Sequence, residues 1–199
     1  AYADDVVIVT ETNLPNQENL SYFGNGNEAH WIYNFPLPPL LLHTLLTGDS
    51  NVLRRWAMSM PPALLGNSYL NFLASHDGFG LRPTEGLLDD DARENLVQRL
   101  EQNGSLFTWR TMQDGTKKIY EANITLYSAL EKTDVDPNGR YAMQRFIAAH
   151  LVMFSLEGVP ALYINSLLAT ENDLDEVSTS GINRRINRKK HTKAFIDSR

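Results

Sequence analysis

The sequence predicts an α/β fold built on a parallel sheet, and three observations carry that prediction. Short apolar segments alternate with amphipathic ones along the chain, the order that strand–helix units give. The strand-like segments are continuous β-branched or aromatic runs, Val6-Val7-Ile8-Val9 being the plainest, as strands covered on both faces require. At 199 residues the chain is long enough for one core, since a domain of this size buries roughly 70% of its unfolded surface.

Residues 6–12 read as the first strand, which ends in Glu11-Thr12-Asn13 and a polar loop over 14–27. Residues 31–35 make a second short strand closed by Pro36. Pro38 and Pro39 suit a helix's first turn, which residues 40–46 continue. Asp49-Ser50 caps a further helix to about residue 60, where Pro61-Pro62 ends it. A third strand over 71–75 runs into His76-Asp77-Gly78. Residues 89–102 form a polar amphipathic helix. Residues 103–138 read as irregular, with turns at Asn103-Gly104, Asp114-Gly115 and Pro137-Asn138-Gly139. The clearest helix covers 140–156. Met143, Phe146, Ile147, His150, Leu151 and Phe154 fall at i, i+3, i+4 spacing on its expected core face, and Gly158 is its cap. Residues 159–164 give a fourth strand. Polar loop with one helical turn occupies 165–191, and another helix starts at Thr192.

Composition narrows the function. The formal charge is −6, so bulk electrostatics give nucleic acid no support as a partner. There are no cysteines, which excludes disulfides, thiolate zinc sites and cysteine nucleophiles and fits a reducing, cytoplasmic setting. No apolar run reaches the ~20 residues of a membrane span. Asp4 and Asp5 stand where a signal peptide would be basic. No Gly-rich phosphate loop follows any strand.

In a barrel of this class catalytic groups lie at the C-terminal ends of strands. Glu11 ends the first strand and Asp77 the third. By position alone each could cap a turn, bind a metal, or serve glycoside chemistry, which needs an acid to protonate the leaving oxygen.

Longer motifs separate these readings. Ser75-His76-Asp77-Gly78-Phe79-Gly80 closely resembles the seventh-strand motif of family 13 glycoside hydrolases, the α-amylase superfamily. Its extension through Leu81-Arg82-Pro83-Thr84-Glu85 resembles the sucrose phosphorylase subfamily. Val7-Ile8-Val9-Thr10-Glu11-Thr12-Asn13 resembles the fifth strand, and Gly158-Val159-Pro160-Ala161-Leu162-Tyr163-Ile164 the eighth. Tyr120-Glu121-Ala122-Asn123 followed by Tyr127-Ser128-Ala129-Leu130 is similar to the mobile acceptor-site loop. Asn172-Asp173-Leu174 and the stretch from Gly181 to Arg188 are similar to the loop after the eighth strand.

The resemblance implies a (β/α)8 TIM barrel, of which this chain covers about strands five to eight. It places an insertion at about 85–138 between strands seven and eight. It implies Glu11 as general acid/base and Asp77 as the group stabilising an oxocarbenium-like transition state. His76 would bind the same sugar. Arg82, Tyr120 and Glu121 would serve the acceptor and phosphate side. The Arg184-Arg185-Arg188-Lys189-Lys190 run, with Arg188 foremost, either attracts phosphate or a carboxylated acceptor or is a solvated loop. His30, His43, His150 and His191 are expected to be structural or at the surface. No cofactor and no metal is implied.

The resemblance also sets expectations about what lies outside the chain. The family's nucleophilic carboxylate ends its fourth strand, ahead of Glu11. Asp4 and Asp5 do not occupy such a place, so the chain is expected to be a fragment lacking the nucleophile, the first four strands and the C-terminal β-domain. The implied activity is an α-glucosyl phosphorylase that splits sucrose, glucosylglycerate or a related α-glucoside with inorganic phosphate. Glu121 in place of a neutral residue, with the segment Leu81 to Glu85, points towards glucosylglycerate. The alternatives are a hydrolase or transglucosidase of the same superfamily and a non-catalytic sugar-binding remnant.

Overall fold

A computed structural model of the chain describes residues 6–112 and 114–198; Asp4 and Asp5 lie outside them. Four strands, β1 (Val9–Thr10), β2 (Trp31–Tyr33), β3 (Ser68–Phe72) and, after three intervening strands, β7 (Val159–Ala161), form one sheet in the order β1-β2-β3-β7, and every pair is parallel. A second sheet is antiparallel, in the order β4-β6-β5. It comprises β4 (Phe79–Gly80), β5 (Leu106–Thr111) and β6 (Lys117–Asn123).

The helices are α1 (Asn16–Leu20), α2 (Leu37–Thr47), α3 (Asn51–Ser59), α4 (Asp90–Gln102), α5 (Leu126–Ala129), α6 (Ala142–Ser155), α7 (Ile164–Leu167), α8 (Leu174–Ser180) and α9 (Lys193–Asp197). Helix α2 is the centre of the packing. Pro38 and Pro39 open it, where the missing N–H groups have no partner to lose, and Leu37, Leu40, Leu41, Leu42 and Leu46 are all buried. They meet α3 through Trp56, α4 through Leu96 and Leu100, and α6 through Phe146, Ala149 and Met153 in one continuous cluster. A smaller cluster of Ala29, Ile32 and Tyr69 lies under the first loop.

Five expectations change. The first strand is two residues long, and Val6, Val7 and Val9 are exposed. β1 is an edge strand that no described element covers, so its apolar run does not find two covered faces. The segment 103–138 is not irregular: Asp114-Gly115 sits in the turn of the β5–β6 hairpin, the chemistry such turns favour. Most of the expected core face of α6 points to solvent. Met143, Ile147, Leu151 and Phe154 are exposed, while Ala142, Phe146, Ala149 and Met153 are buried. The helix is apolar on two sides, and the side with small alanines is the one that can approach α2 closely. It ends at Ser155, with Leu156 and not Gly158 as its cap. The fourth parallel strand is also shorter than read, since the chain turns into α7 at Ile164.

The orientation of α6 can be tested by paired substitution. Met153→Ala should cost about 2–5 kcal/mol in chemical denaturation, and Leu151→Ala about 0.5 kcal/mol or less. The reverse order would restore the face that periodicity alone suggests.

Candidate active site

The C-terminal ends of the parallel strands lie on one side of the sheet, and the loops that leave them carry the polar groups. Glu11 follows β1 directly and its carboxylate is exposed. The chain behind it is fixed by relayed hydrogen bonds. Thr12 Oγ1 donates to Asn19 Oδ1 at 2.7 Å, and Asn19 Nδ2 donates to the Tyr33 carbonyl at 2.8 Å. Burial pushes the Tyr33 hydroxyl above its ordinary pKa, and the charge of Glu11 adds to that shift. Tyr33, Phe35 and Phe72 pack ring to ring below, with centroids 5.2–5.6 Å apart.

Asp77 follows β3 and is held by its backbone. Its N–H donates to Ser75 Oγ at 3.1 Å, and its carbonyl accepts from Asn123 Nδ2 at 2.8 Å. Gly78 takes a φ of +118°, and a Cβ there would press on the Ala122 carbonyl, so the loop lies flat on β6. One turn further on, the Asn13 amide lies 2.6 Å from where a Cβ of Gly80 would be. That close approach joins the Glu11 loop to the Asp77 loop.

Around Asp77 the charges interlock. Arg188 Nη2 donates to Asp77 Oδ1 at 2.8 Å, and Arg188 Nε to the His76 carbonyl at 3.1 Å. Arg184 Nη1 and His76 Nε2 each lie 3.4 Å from the same Oδ1. Arg184 donates from Nε to Glu121 Oε2 at 2.9 Å and from Nη2 to Oε1 at 3.3 Å. Glu121 is buried, and Asn123 Nδ2 donates to its Oε2 at 2.8 Å. Burial raises the Glu121 pKa; the bonds from Asn123 and Arg184 offset this only in part, and nearby Asp77 adds to the rise. The arginines are placed by a 3-10 turn over Asn183–Asn187 whose Ile186 is fully buried. The Asn187 carbonyl in that turn accepts from Tyr163 Oη at 2.8 Å and Asn165 Nδ2 at 3.0 Å.

Of the residues marked in the sequence, the structure thus gathers His76, Asp77, Glu121 and Arg188 into one cluster. It ties Glu11 to that cluster through Asn13. Tyr120 lies beside it in sequence, its carbonyl accepting from the Leu81 N–H at 3.1 Å. Arg82 is not joined: it opens a 3-10 turn, and its Nε is buried without a partner. Asn123 and Asn13 carry no role in the sequence reading, and Arg184 enters it only as part of the basic run from Arg184 to Lys190. Arg184 and Arg188 are four apart, and Glu121 and Asn123 two apart on a strand, where side chains share a face. Those spacings were the available signals. Of the other histidines, His43 is buried, with burial lowering its pKa, and His30 Nδ1 accepts from the Ile8 N–H at 3.0 Å.

Chemically the cluster offers an exposed carboxylate for proton exchange, a carboxylate–imidazole pair for sugar hydroxyls, and two guanidinium groups able to receive an anion. Among the described residues no group of three metal-ligating side chains occurs, and no helix is long and apolar enough to cross a membrane.

Curated glucoside phosphorylases align with the chain along nearly its whole length. Glucosylglycerate phosphorylase of Escherichia coli (strain K12) is 44% identical over 95% of the chain and 34% of its own length. Glucosylglycerate phosphorylase of Allomeiothermus silvanus is 41% identical over 100% of the chain and 36% of its own length. Sucrose phosphorylase of Bifidobacterium adolescentis is 33% identical over 83% of the chain and 32% of its own length. The chain therefore spans about a third of the length of the curated relatives it matches. The crystal structure of sucrose 6F-phosphate phosphorylase from Thermoanaerobacter thermosaccharolyticum superposes with a TM-score of 0.78 at 24% identity, over 97% of this chain and 37% of that one. That match shows the fold to be part of a (β/α)8 barrel. No family model matches the chain.

The buried carboxyl of Glu121 has a measurable consequence. Unfolded, it titrates near 4.5; folded, it keeps its proton to higher pH. Between the two values the folded state binds the extra proton, so this stabilisation is complete below 4.5 and is lost as pH rises through the folded value. Urea unfolding at stepped pH should show that loss, and Glu121→Gln should remove it. Equal pH dependence in the two proteins would contradict the burial argument.

Proposed function

We propose that the chain forms part of an α-glucosyl phosphorylase that cleaves glucosylglycerate, or a closely related α-glucoside, with inorganic phosphate to give α-glucose 1-phosphate. The observation that carries this reading is the paired guanidinium cluster of Arg184 and Arg188 on Asp77 and Glu121, in a chain 41–44% identical to two glucosylglycerate phosphorylases. Identity to the sucrose phosphorylase of Bifidobacterium adolescentis is lower, at 33%, which favours a carboxylated leaving group over fructose.

In this reading Glu11 protonates the glycosidic oxygen as the C1–O bond breaks, and later removes a proton from the phosphate oxygen that bonds to C1. Its exposure leaves it free to exchange with both. Asp77 and His76 bind glucose hydroxyls and favour positive charge at C1 in the transition state. A retaining displacement also needs a carboxylate on the opposite face of the sugar, roughly 5–5.5 Å from the acid; we assign that role to no described residue. Arg184 and Arg188 receive the anion, phosphate or glycerate carboxylate. Two carboxylates already neutralise them, so a bound anion must draw a guanidinium away from its carboxylate. That makes the site selective for anions that bind two-pronged.

A chimera tests this: residues 6–198 replace the aligned segment of the Escherichia coli relative. It should release glucose 1-phosphate from glucosylglycerate only when phosphate is present. Release of free glucose at the same rate without phosphate would overturn the phosphorylase reading.

Within the chimera, Glu11→Gln should lower turnover by ~10²–10⁴ for the natural leaving group and far less for glucosyl fluoride, which leaves without a proton. Equal losses on both substrates would remove Glu11 from the acid/base role. Asp77→Asn should lower turnover by ~10²–10³ on both substrates, because it acts at C1 and not on the leaving group.

A further inference from the structure

A groove of about 410 Å³ opens between α4 and the β5–β6 hairpin, away from the carboxylate cluster. Leu81, Val97 and Ile119 form its apolar floor, and Trp109 stands at its side, 55% exposed. Tryptophan is enriched at contact surfaces because its ring is apolar while its N–H can stay wet. The hairpin register slips between Thr108 and Trp109, and such an irregularity re-aims a side chain.

The groove and the Asp77 site share no side chain. β6 runs from Lys117 and Ile119 in the groove to Glu121 and Asn123 at the Asp77 loop, so the two lie at successive stretches of one strand.

Its charges balance. Glu85, Asp90 and Glu94 oppose Arg93, Lys117 and Lys118. Glu85 is engaged by Arg110 at 2.6 Å, and Asp90 by Arg93. The acceptor left over is Glu94, whose bond from Gln98 is long at 3.3 Å; the donors are the two exposed lysines. The rim therefore keeps one free carboxylate beside two ammonium groups. It offers donor and acceptor together, which is what a hydroxyl needs. An indole face over an apolar floor accepts the C–H face of a ring.

We propose that this groove is a second binding site, for a neutral pyranose sugar stacked on Trp109 and hydrogen-bonded by Glu94 and Lys117. It does not depend on the reaction proposed above, because none of its residues belongs to the carboxylate cluster.

The test titrates the intact protein carrying Asp77→Asn with glucose and with sucrose, following tryptophan emission and heat. Sugar should change the emission. Adding Trp109→Ala should weaken the binding about tenfold or more, the equivalent of about 1.4 kcal/mol. Glu94→Gln, which leaves the indole in place, should weaken it severalfold. Trp109→Ala alone should leave phosphorolysis at saturating substrate unchanged, so a failure here and a failure of the proposed reaction are told apart. Binding indifferent to both groove substitutions overturns the site. So does the absence of heat with both sugars, or a groove response to inorganic phosphate in their place.

Discussion

The side chain of Asn123, fully shielded from solvent, commits its hydrogen-bonding capacity to three segments at once. Its Nδ2 reaches the Asp77 carbonyl and the Glu121 carboxylate, and its Oδ1 accepts from Thr108 Oγ1 at 2.8 Å. Two of these bonds cross between elements that the parallel sheet does not join, tying β6 to the loop after β3 and to β5, and the third stays within β6 and orients Glu121. A buried amide that lost these partners would cost about 1–3 kcal/mol for each group left unsatisfied. Gly78 works with it by allowing the loop to lie on the backbone of β6. The position of Asp77 is therefore a property of the hairpin as much as of the barrel strand before it.

The Glu121–Arg184 pair depends on the same frame. A carboxylate with 6% side-chain exposure facing a guanidinium with 38% is an asymmetric arrangement: the acid is desolvated and the base half wet. Such pairs stabilise weakly, because the loss of hydration nearly matches the attraction. Their effect is to fix geometry. Glu121 holds two of the three guanidinium nitrogens of Arg184, which turns the remaining Nη1 towards Asp77. Asp77 thus faces one arginine oriented by a buried acid and another, Arg188, oriented by the His76 carbonyl.

How far all this was legible in the sequence varies with the physics of each segment. The presence of β1 and β3, with Glu11 and Asp77 in the segments that follow them, is legible because apolar runs followed by acids are local signals; their limits are not, since β3 covers Ser68–Phe72 and not 71–75. The helix α2 was found because proline and leucine specify it at short range. The side of α6 that packs inward was not, because Met143, Ile147, Leu151 and Phe154 are apolar enough to pass for a core stripe, and only the alanines fit against α2. The β5–β6 hairpin was missed although Asp114-Gly115 was seen, because its strands mix charged and aromatic residues with little alternation. Arg184 and Asn123 matter through partners more than 40 residues away, and no local pattern announces such a pairing.

The two carboxylates are held with different stiffness. Asp77 is gripped by Asn123, Gly78, Arg188 and Arg184. Glu11 follows a two-residue edge strand whose neighbouring valines are exposed. Its restraint comes from the Thr12–Asn19–Tyr33 relay and from the contact of Asn13 with Gly80. In the reaction proposed above, an acid that must give a proton to one oxygen and take one from another gains from some freedom, provided its distance from the sugar is kept. A group that stabilises charge at one carbon gains only from being fixed, because its effect depends on orientation already present before the bond breaks. The Asn13–Gly80 contact reconciles the two demands. It packs the Glu11 loop against β4, which follows the Asp77 loop, so the acid's position is set by that contact as well as by the edge of the sheet.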